Sequence, residues 1–459
     1  MKRKLAAVLA LTLLLGLCGC SKKGDSIDGI PNSRPHLNTG NPGIMTEPTK
    51  ASLEKSNAKI SFVKPFRNDR AWVVYRRDGE TFEGFIDKSG NVIAEFDDHN
   101  IESPAFDNGY AHILSKSGTH YVVDTDCNVV SSYSPELIGG AEICEGGGYL
   151  VAYENVSTFD KACFQFTVYN PDGSKNGSFT TEQRPDEVRY LGSCIFGLIG
   201  GGWASFYCAK SSTLVEDEEI INNNSKLFLS GLPYSVNGYV KLGFFMNPTT
   251  WECGMAILSE TGELKKIYNS DFLIYGDPSF FEDPDAFRVT DVQNGICFYL
   301  NKYENKLFSV NVATGAVTLL DSSITENAKN IYYPDEGLIV ALAEGADGRT
   351  YCHLFDTQFN QIGEPFVGRF KSASDGKILV EVDGETGLEH HVYDYNGNFL
   401  FSLANIAGQK TSPESVNYFS CGMIPVHVDG KGKSYIDANG SFPFDTLTFN
   451  GTKDLKDLA

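Results

Sequence analysis

The chain has 459 residues, and 38 Lys and Arg stand against 59 Asp and Glu, which gives a formal net charge of −21. This charge argues against a nucleic-acid-binding protein, because little in the chain would neutralise phosphates. The hydrophobic fraction of 41% is sufficient for a sizeable core and excludes disorder of the whole chain.

Residues 1–19 have the pattern of an export signal. Basic residues at positions 2–4 precede an apolar run from Leu5 to Leu17, which is too short to span a bilayer as a helix. The segment that follows, Leu17-Cys18-Gly19-Cys20, resembles the lipobox of bacterial lipoproteins. The resemblance implies cleavage after residue 19 and lipidation of Cys20. We therefore expect an extracytoplasmic protein anchored to the bacterial cell membrane, with an ordinary cleaved signal peptide as the alternative.

Residues 20–57 are predicted to be the lipidated cysteine and a disordered, flexible tether. The stretch is polar, contains four prolines and shows no apolar periodicity, which is typical of a linker. A repeat domain is predicted over 58–450, and a short C-terminal tail over 451–459.

The repeat domain is dominated by short runs rich in Val, Ile, Phe and Tyr. A unit of strand, polar turn, strand, tight turn and strand recurs, most clearly over Arg70–Phe96, and nine units can be counted at a spacing of roughly 40–50 residues. One such sheet cannot bury both of its faces alone, whereas a closed ring of sheets buries them against each other and limits exposed edges. The sequence therefore predicts an all-β fold, a β-propeller of seven to nine blades with three to four strands each, in preference to an open array.

Segments near both ends of the domain resemble the WG-repeat family. The matching residues of the first copy are Gly84, Phe85, Ile86, Asp87 and Gly90. The family's tryptophan is replaced by Glu83, His120 and Lys433 in the three best copies. The resemblance implies a binding or scaffold module without a shared catalytic residue.

An aspartate ends the middle strand of three units, at Asp87, Asp124 and Asp437. A carboxylate before a tight turn can accept hydrogen bonds from backbone N–H groups two residues further on. We expect this structural role, and a ring of carboxylates that binds a cation or a basic ligand is the alternative.

Motifs for catalysis or metal binding are weak. The chain has no G-x-S-x-G, H-E-x-x-H, P-loop or dinucleotide motif, so no cofactor is expected. His390 and His391 would point to opposite faces of a strand and could not share a metal ion. A weak calcium candidate is Asp172, Ser174 and Asn176, which resembles the first half of an EF-hand loop, although a solvated hairpin turn is the simpler interpretation.

Two acidic runs and two aromatic pairs are further candidates for loops at the surface of the repeat domain. Acidic runs at 216–219 and 282–285 are expected to be solvated loops, and the aromatic pairs at 280–281 and 332–333 are candidates for exposed contacts with a sugar or a protein. Nine cysteines beyond the leader show no C-x-x-C spacing, which favours buried free thiols over a zinc or redox site.

These patterns favour a membrane-tethered, non-catalytic β-propeller that binds or scaffolds a protein or a cell-wall glycan. The alternative is a carbohydrate-active or other hydrolytic propeller enzyme, whose carboxylates would come from different blades and escape a motif search.

Overall fold

A computed structural model of the protein shows an all-β fold. The structure describes residues 57–96, 104–115, 117–134, 141–158, 162–200, 203–216, 238–246, 253–269, 287–289, 292–301, 306–320, 328–335, 337–384, 387–415 and 418–455. Every regular element in these stretches is a strand, and the strands form nine small sheets, which we call blades 1 to 9. No helix long and apolar enough to cross a bilayer occurs in the described stretches.

Blades 1 to 3 follow the chain from residue 59 to residue 181. Blade 1 contains β1 (Lys59–Val63), β2 (Ala71–Arg77), β3 (Glu80–Ile86) and β4 (Val92–Phe96). Blade 2 contains β5 (Tyr110–Leu114), β6 (His120–Asp124) and β7 (Val129–Tyr133). Blade 3 contains β8 (Glu142–Gly146), β9 (Tyr149–Asn155), β10 (Phe164–Tyr169) and β11 (Lys175–Thr181). Consecutive strands pair antiparallel in all three blades.

Blades 4 to 6 repeat this order. Blade 4 contains β12 (Glu187–Gly192), β13 (Ile195–Gly200), β14 (Trp203–Cys208) and β15 (Thr213–Glu216). Blade 5 contains β16 (Tyr239–Met246), β17 (Cys253–Ser259) and β18 (Leu264–Tyr268). Blade 6 contains β19 (Phe287–Val289), β20 (Ile296–Asn301), β21 (Lys306–Asn311) and β22 (Val317–Leu320).

Blades 7 to 9 complete the repeat domain. Blade 7 contains β23 (Ala328–Asp335), β24 (Leu338–Glu344), β25 (Thr350–Phe355) and β26 (Gln361–Val367). Blade 8 contains β27 (Arg369–Ser374), β28 (Lys377–Gly384), β29 (Gly387–Asp394) and β30 (Phe399–Ser402). Blade 9 contains β31 (Asn405–Ile406), β32 (Gln409–Pro413), β33 (Met423–Val428) and β34 (Gly432–Asp437).

The last strand, β35 (Lys453–Asp454), belongs to blade 1, where it pairs parallel with β4. It lies within residues 451–459, the predicted C-terminal tail. Leu447 is buried beside it, and the Thr448 backbone N–H donates to the carbonyl of Gly90. Blade 1 therefore contains both the first and the last described strands of the chain.

Apolar clusters connect the blades into a closed ring. Each of nine clusters of buried residues joins the facing sides of two consecutive blades. The closing cluster packs Val73 and Tyr75 of blade 1 against Met423 and Tyr435 of blade 9. Because each sheet is covered on both faces, β13 is buried at four successive positions. The fold is thus a nine-bladed β-propeller, at the upper end of the predicted number.

The prediction that the aromatic pair at 332–333 lies in an exposed loop is wrong. Both tyrosines lie in β23, and Tyr333 is only 3% exposed. Its ring packs edge-on against Phe298 of blade 6, whereas the ring of Tyr332 packs against Phe370 of blade 8. The pair therefore fills two interfaces between blades, because neighbouring strand residues point to opposite faces.

Candidate functional site: the ring of tight turns

A two-residue tight turn precedes the second strand of blades 1, 3, 4, 6 and 8, strand β5 of blade 2 and strand β33 of blade 9. Both residues of this turn have positive φ angles, as in the type I′ hairpin turn, whose twist matches that of the flanking strands. The pairs are Asn68-Asp69, Asn108-Gly109, Gly147-Gly148, Ser193-Cys194, Asn294-Gly295, Asp375-Gly376 and Cys421-Gly422. Because the blades repeat the same strand order, these turns lie at one end of the propeller.

Turns of neighbouring blades are hydrogen-bonded to each other, and we call this set the turn ring. From blade 8 round to blade 3, the bonds run from Gly422 N–H to Asp375 Oδ2 (2.6 Å), Asp69 N–H to Cys421 Sγ (3.5 Å), Gly109 N–H to Asn68 Oδ1 (3.4 Å) and Asn108 Nδ2 to Gly147 O (3.1 Å). Side chains of one turn thus satisfy the backbone of the next, which makes this end of the propeller a connected surface.

A hydrogen bond at the turn ring also joins two blades that are not neighbours. The Tyr190 hydroxyl of blade 4 donates to Asp107 Oδ2 of blade 2 at 2.5 Å. A contact between blades that are not neighbours is possible only where the sheets converge. The turn ring therefore lies near the centre of the propeller, where the sheets converge.

Three carboxylates belong to this surface, namely Asp69 and Asp375 in the turns and Asp107 next to the turn of blade 2. Asp69 and Asp375 are exposed and Asp107 is half-buried. Lys88 Nζ lies 2.8 Å from Asp69 Oδ1, and this hydrogen bond lowers the pKa of Asp69 although partial burial acts in the opposite direction. The surface presents carboxylates and amides together, so it can accept hydrogen bonds from basic or amide groups of a partner.

A second set of aspartates occupies the turns before the outer strands at the same end. Asp87, Asp124 and Asp437 each accept hydrogen bonds from the backbone N–H groups two and four residues further on, at 2.8–3.0 Å. The predicted structural role of these carboxylates is confirmed. Asp356 and Asp394 make the same bonds, although neither was predicted to belong to this set.

The calcium candidate residues have protein partners. Asp172 Oδ1 accepts from the N–H and the hydroxyl of Ser174, at 2.9 and 2.6 Å. Asn176 Oδ1 accepts from the Tyr207 hydroxyl at 2.7 Å, and its Nδ2 donates to Asn170 and to the carbonyl of Ala209. Calcium binding at this loop, which stays a prediction, would have to replace the bond between Asn176 and Tyr207.

Other candidate residues are separated or lie outside the described residues. His390 Nε2 is 3.8 Å from Glu381, whereas His391 Nε2 is 3.3 Å from Glu389, so the two rings have different neighbours. Within the described stretches, no group of three His, Cys, Asp or Glu side chains is placed to hold a metal ion. Cys20, the acidic residues 217–219 and 282–285, and the aromatic pair at 280–281 lie outside the described residues.

Eight of the nine cysteines beyond the leader are shown to be free thiols, as predicted. Five are buried, namely Cys127, Cys194, Cys208, Cys297 and Cys352, and three are half-buried. Burial raises the pKa of Cys208 and of Cys352 to about 12. These thiols are protonated at neutral pH, which makes them packing residues and not nucleophiles.

The known proteins that resemble this chain are distantly similar solved structures. No protein-family model and no curated protein matches it. Similar solved structures include a eukaryotic initiation factor, with 11% identity, a TM-score of 0.41 and coverage of 76% of this chain and 89% of that chain. BamB from Moraxella catarrhalis has 11% identity, a TM-score of 0.28 and coverage of 74% and 99%. Prolyl oligopeptidase B from Galerina marginata has 10% identity, a TM-score of 0.33 and coverage of 83% and 55%.

Proposed function

We propose that the protein is a bacterial lipoprotein, tethered to the outside of the cell membrane through Cys20, whose propeller binds a partner at the turn ring. The lipobox-like segment supports the tether. The observation that carries the binding role is the chain of hydrogen bonds that joins the turns of blades 8, 9, 1, 2 and 3. A surface fixed in this way loses little conformational entropy when a partner binds, which favours recognition.

The acids of the turn ring are also partnered in ways that suit a scaffold. Asp375 accepts from Gly422, Asp107 from Tyr190, and Asp69 pairs with Lys88. A general acid or base needs a proton that it can exchange with a substrate. Carboxylates that hold neighbouring turns in place are better suited to position a surface, whose partner we expect to be a basic or amide-rich segment of a protein or of a cell-wall glycopeptide.

The tether is tested by metabolic labelling with a clickable fatty acid. We expect label on the full-length protein and on a Cys18→Ala variant, and none on a Cys20→Ala variant. Cys18 is the matched control because it lies two residues away in the same segment. Label on the Cys20→Ala protein would refute the anchor without affecting the binding proposal.

The binding surface is tested by photo-crosslinking in intact cells. A photoreactive residue at position 375, in the turn ring, should give a discrete adduct that competes with excess unlabelled protein. The same residue at position 319 is the control, because Leu319 lies on the outermost strand of blade 6 and is 54% exposed. Equal adducts from both positions, or none from position 375, would contradict a binding role for the turn ring.

The enzyme alternative has one supporting observation. Asp69, Asp107 and Asp375 come from three blades and meet in one ring, which is how a propeller would assemble catalytic carboxylates. Incubation with cell-wall glycans, with products followed by mass spectrometry, tests this reading. Turnover that disappears in an Asp69→Asn, Asp375→Asn double variant would favour the enzyme over the binding module.

A further inference from the structure

The interface between blades 2 and 3 has the smallest apolar cluster in the ring. Among the described residues its buried members are Val122, Tyr133, Leu150 and Ala152. The other eight interfaces each contain seven to twelve buried members. Since apolar burial is the main force that holds one blade against the next, this interface is the weakest apolar contact in the described part of the ring.

The same interface encloses three ionisable side chains, which we call the histidine joint: His112 in β5, His120 in β6 and Glu145 in β8. His120 Nδ1 is hydrogen-bonded to Glu145 Oε1. His112 Nδ1 lies 3.6 Å from the same carboxylate oxygen, too far for a hydrogen bond. The His112 side chain is 12% exposed, and within the described residues neither ring nitrogen has a hydrogen-bond partner.

The charged groups that face His112 come from both blades. They are Glu145 of blade 3, and His120 and Asp107 of blade 2. Burial lowers the pKa of His112, and the attraction of Glu145 does not overcome this effect. Burial alone would raise the pKa of Glu145, but the bond from His120 and the two imidazoles lower it. At neutral pH the closed joint therefore holds an uncharged His112 beside an ionised Glu145.

We propose that the histidine joint is a pH-sensitive opening point of the propeller, at which acidification separates blade 2 from blade 3. Protonation of His112 places a positive charge inside a site with little water, next to the imidazole of His120 and beside a carboxylate that is already hydrogen-bonded to His120. In the open state water hydrates the imidazolium of His112, which removes the cost of burying its charge. Opening would also break the bond between Asn108 and Gly147, so the turn ring would be interrupted at the same place.

The direction of the pH effect on opening follows from the number of protons bound in the closed and open states. A histidine whose pKa is lower in the closed state binds fewer protons there than in the open state, so its stabilising contribution is present above about pH 6.5 and is lost as the pH falls. Uptake of one proton raises the opening constant by at most about tenfold per pH unit. Glu145 acts in the same direction at lower pH, because its closed-state pKa is also lowered.

Hydrogen exchange measured from pH 7.5 to pH 5.0 tests the proposal on the full mature chain. Protection factors, corrected for the intrinsic exchange rate at each pH, should fall for β5, β8 and β9 as the pH drops below 6.5. Those of β13 and β14, which contain no histidine, serve as the internal reference and should stay constant. A uniform loss of protection in all blades would overturn the proposal.

Two variants make the test specific. His112→Leu removes the titrating group and should abolish the pH dependence at β5 and β8. His353→Leu is the matched control, since His353 lies in blade 7 and burial lowers its pKa as well; it should leave the response of β5 and β8 unchanged. A pH response that persists in His112→Leu would refute the role of His112. Should this variant not fold, the wild-type comparison between blades decides alone.

Discussion

Tyr190 of blade 4 and Asp107 of blade 2 are joined by a 2.5 Å hydrogen bond that spans blade 3. The ring of Tyr190 passes directly over Gly146, where a Cβ atom would come within 2.1 Å of the ring. The same hydroxyl accepts the backbone N–H of Cys194 at 3.1 Å. Burial raises the pKa of Tyr190 well above its usual value, so the phenol stays a neutral donor. One side chain thus links three consecutive blades.

Removal of this hydroxyl should destabilise the propeller. Tyr190→Phe leaves the carboxylate of Asp107 and the N–H of Cys194 without their partner, which costs about 1–3 kcal/mol at a buried site. Urea unfolding measures the change. Tyr351→Phe is the control, because Tyr351 makes a similar bond to Asp347 on an exposed turn, and this variant should lose much less stability than Tyr190→Phe. Equal losses would mean that the bridge between blades contributes nothing of its own.

The C-terminal segment should act as a clamp on blade 1. Leu447 is 1% exposed, Leu455 N–H donates to the carbonyl of Glu95, and Lys453 Nζ reaches the carbonyl of Asp126 in blade 2. Leu447→Ala should therefore cost about 2–5 kcal/mol, as large-to-small changes in a core do. Thermal unfolding of this variant and of Leu319→Ala, at an exposed position, provides the comparison. A truncation after residue 446 that unfolds like the full chain would contradict the clamp.

The sequence predicted the propeller because its signals are local. Each unit has a middle hairpin with alternating apolar residues and a tight turn, and the turn chemistry of Asp87 or Asp437 depends on only five consecutive residues. The first strands were harder to see. Segments such as RFKSAS in β27 give little apolar signal, because only Ala373 among its six residues is buried.

The turn ring and the histidine joint could not be predicted from the sequence. Ser193-Cys194 and Cys421 adopt positive φ angles without the Asn, Asp or Gly signature that marks such turns. Their partners come from other blades, as do those of Tyr190 and His112, and one sequence contains no signal for contacts of this range. The recurrence of a two-residue turn before one strand of most blades is the feature that points to the turn ring.

The aspartate turns should show a defined pH dependence. Asp394 Oδ1 accepts from the N–H groups of Asn396 and Asn398, and Oδ2 accepts from Asn398 Nδ2. Although partial burial acts in the opposite direction, these bonds lower the pKa of Asp394. The stabilisation is therefore present above the usual pKa of an aspartate, near 4, and is lost as the pH falls further.

Asp394→Ala should lower the free energy of unfolding by about 1 kcal/mol at pH 7, and the difference from the wild type should shrink below pH 4. Asp394→Asn keeps an acceptor oxygen, so its free energy of unfolding should fall by less than that of Asp394→Ala. Asp383→Ala is the control, because Asp383 is an exposed acid of the same blade with an ion pair to Arg369. A deficit of Asp394→Ala that stays constant down to pH 2.5 would show that the charge of Asp394 plays no part.

The rate at which each cysteine is alkylated should depend on how tightly it is packed between the blades. Cys208 and Cys352 are fully buried, and their sulfhydryls point at the carbonyls of Ser259 and Gly368, whereas Cys163 and Cys421 are half-buried. Because alkylation requires an accessible thiolate, brief treatment with iodoacetamide at pH 8 should modify Cys163 and Cys421 first and leave Cys208 and Cys352 unmodified until the protein unfolds. Peptide mass spectrometry measures the order, and a urea-denatured sample, in which all four react, is the control. Rapid alkylation of Cys352 in the native protein would show that blades 7 and 8 separate readily, and would contradict the tight packing of Cys352 between them.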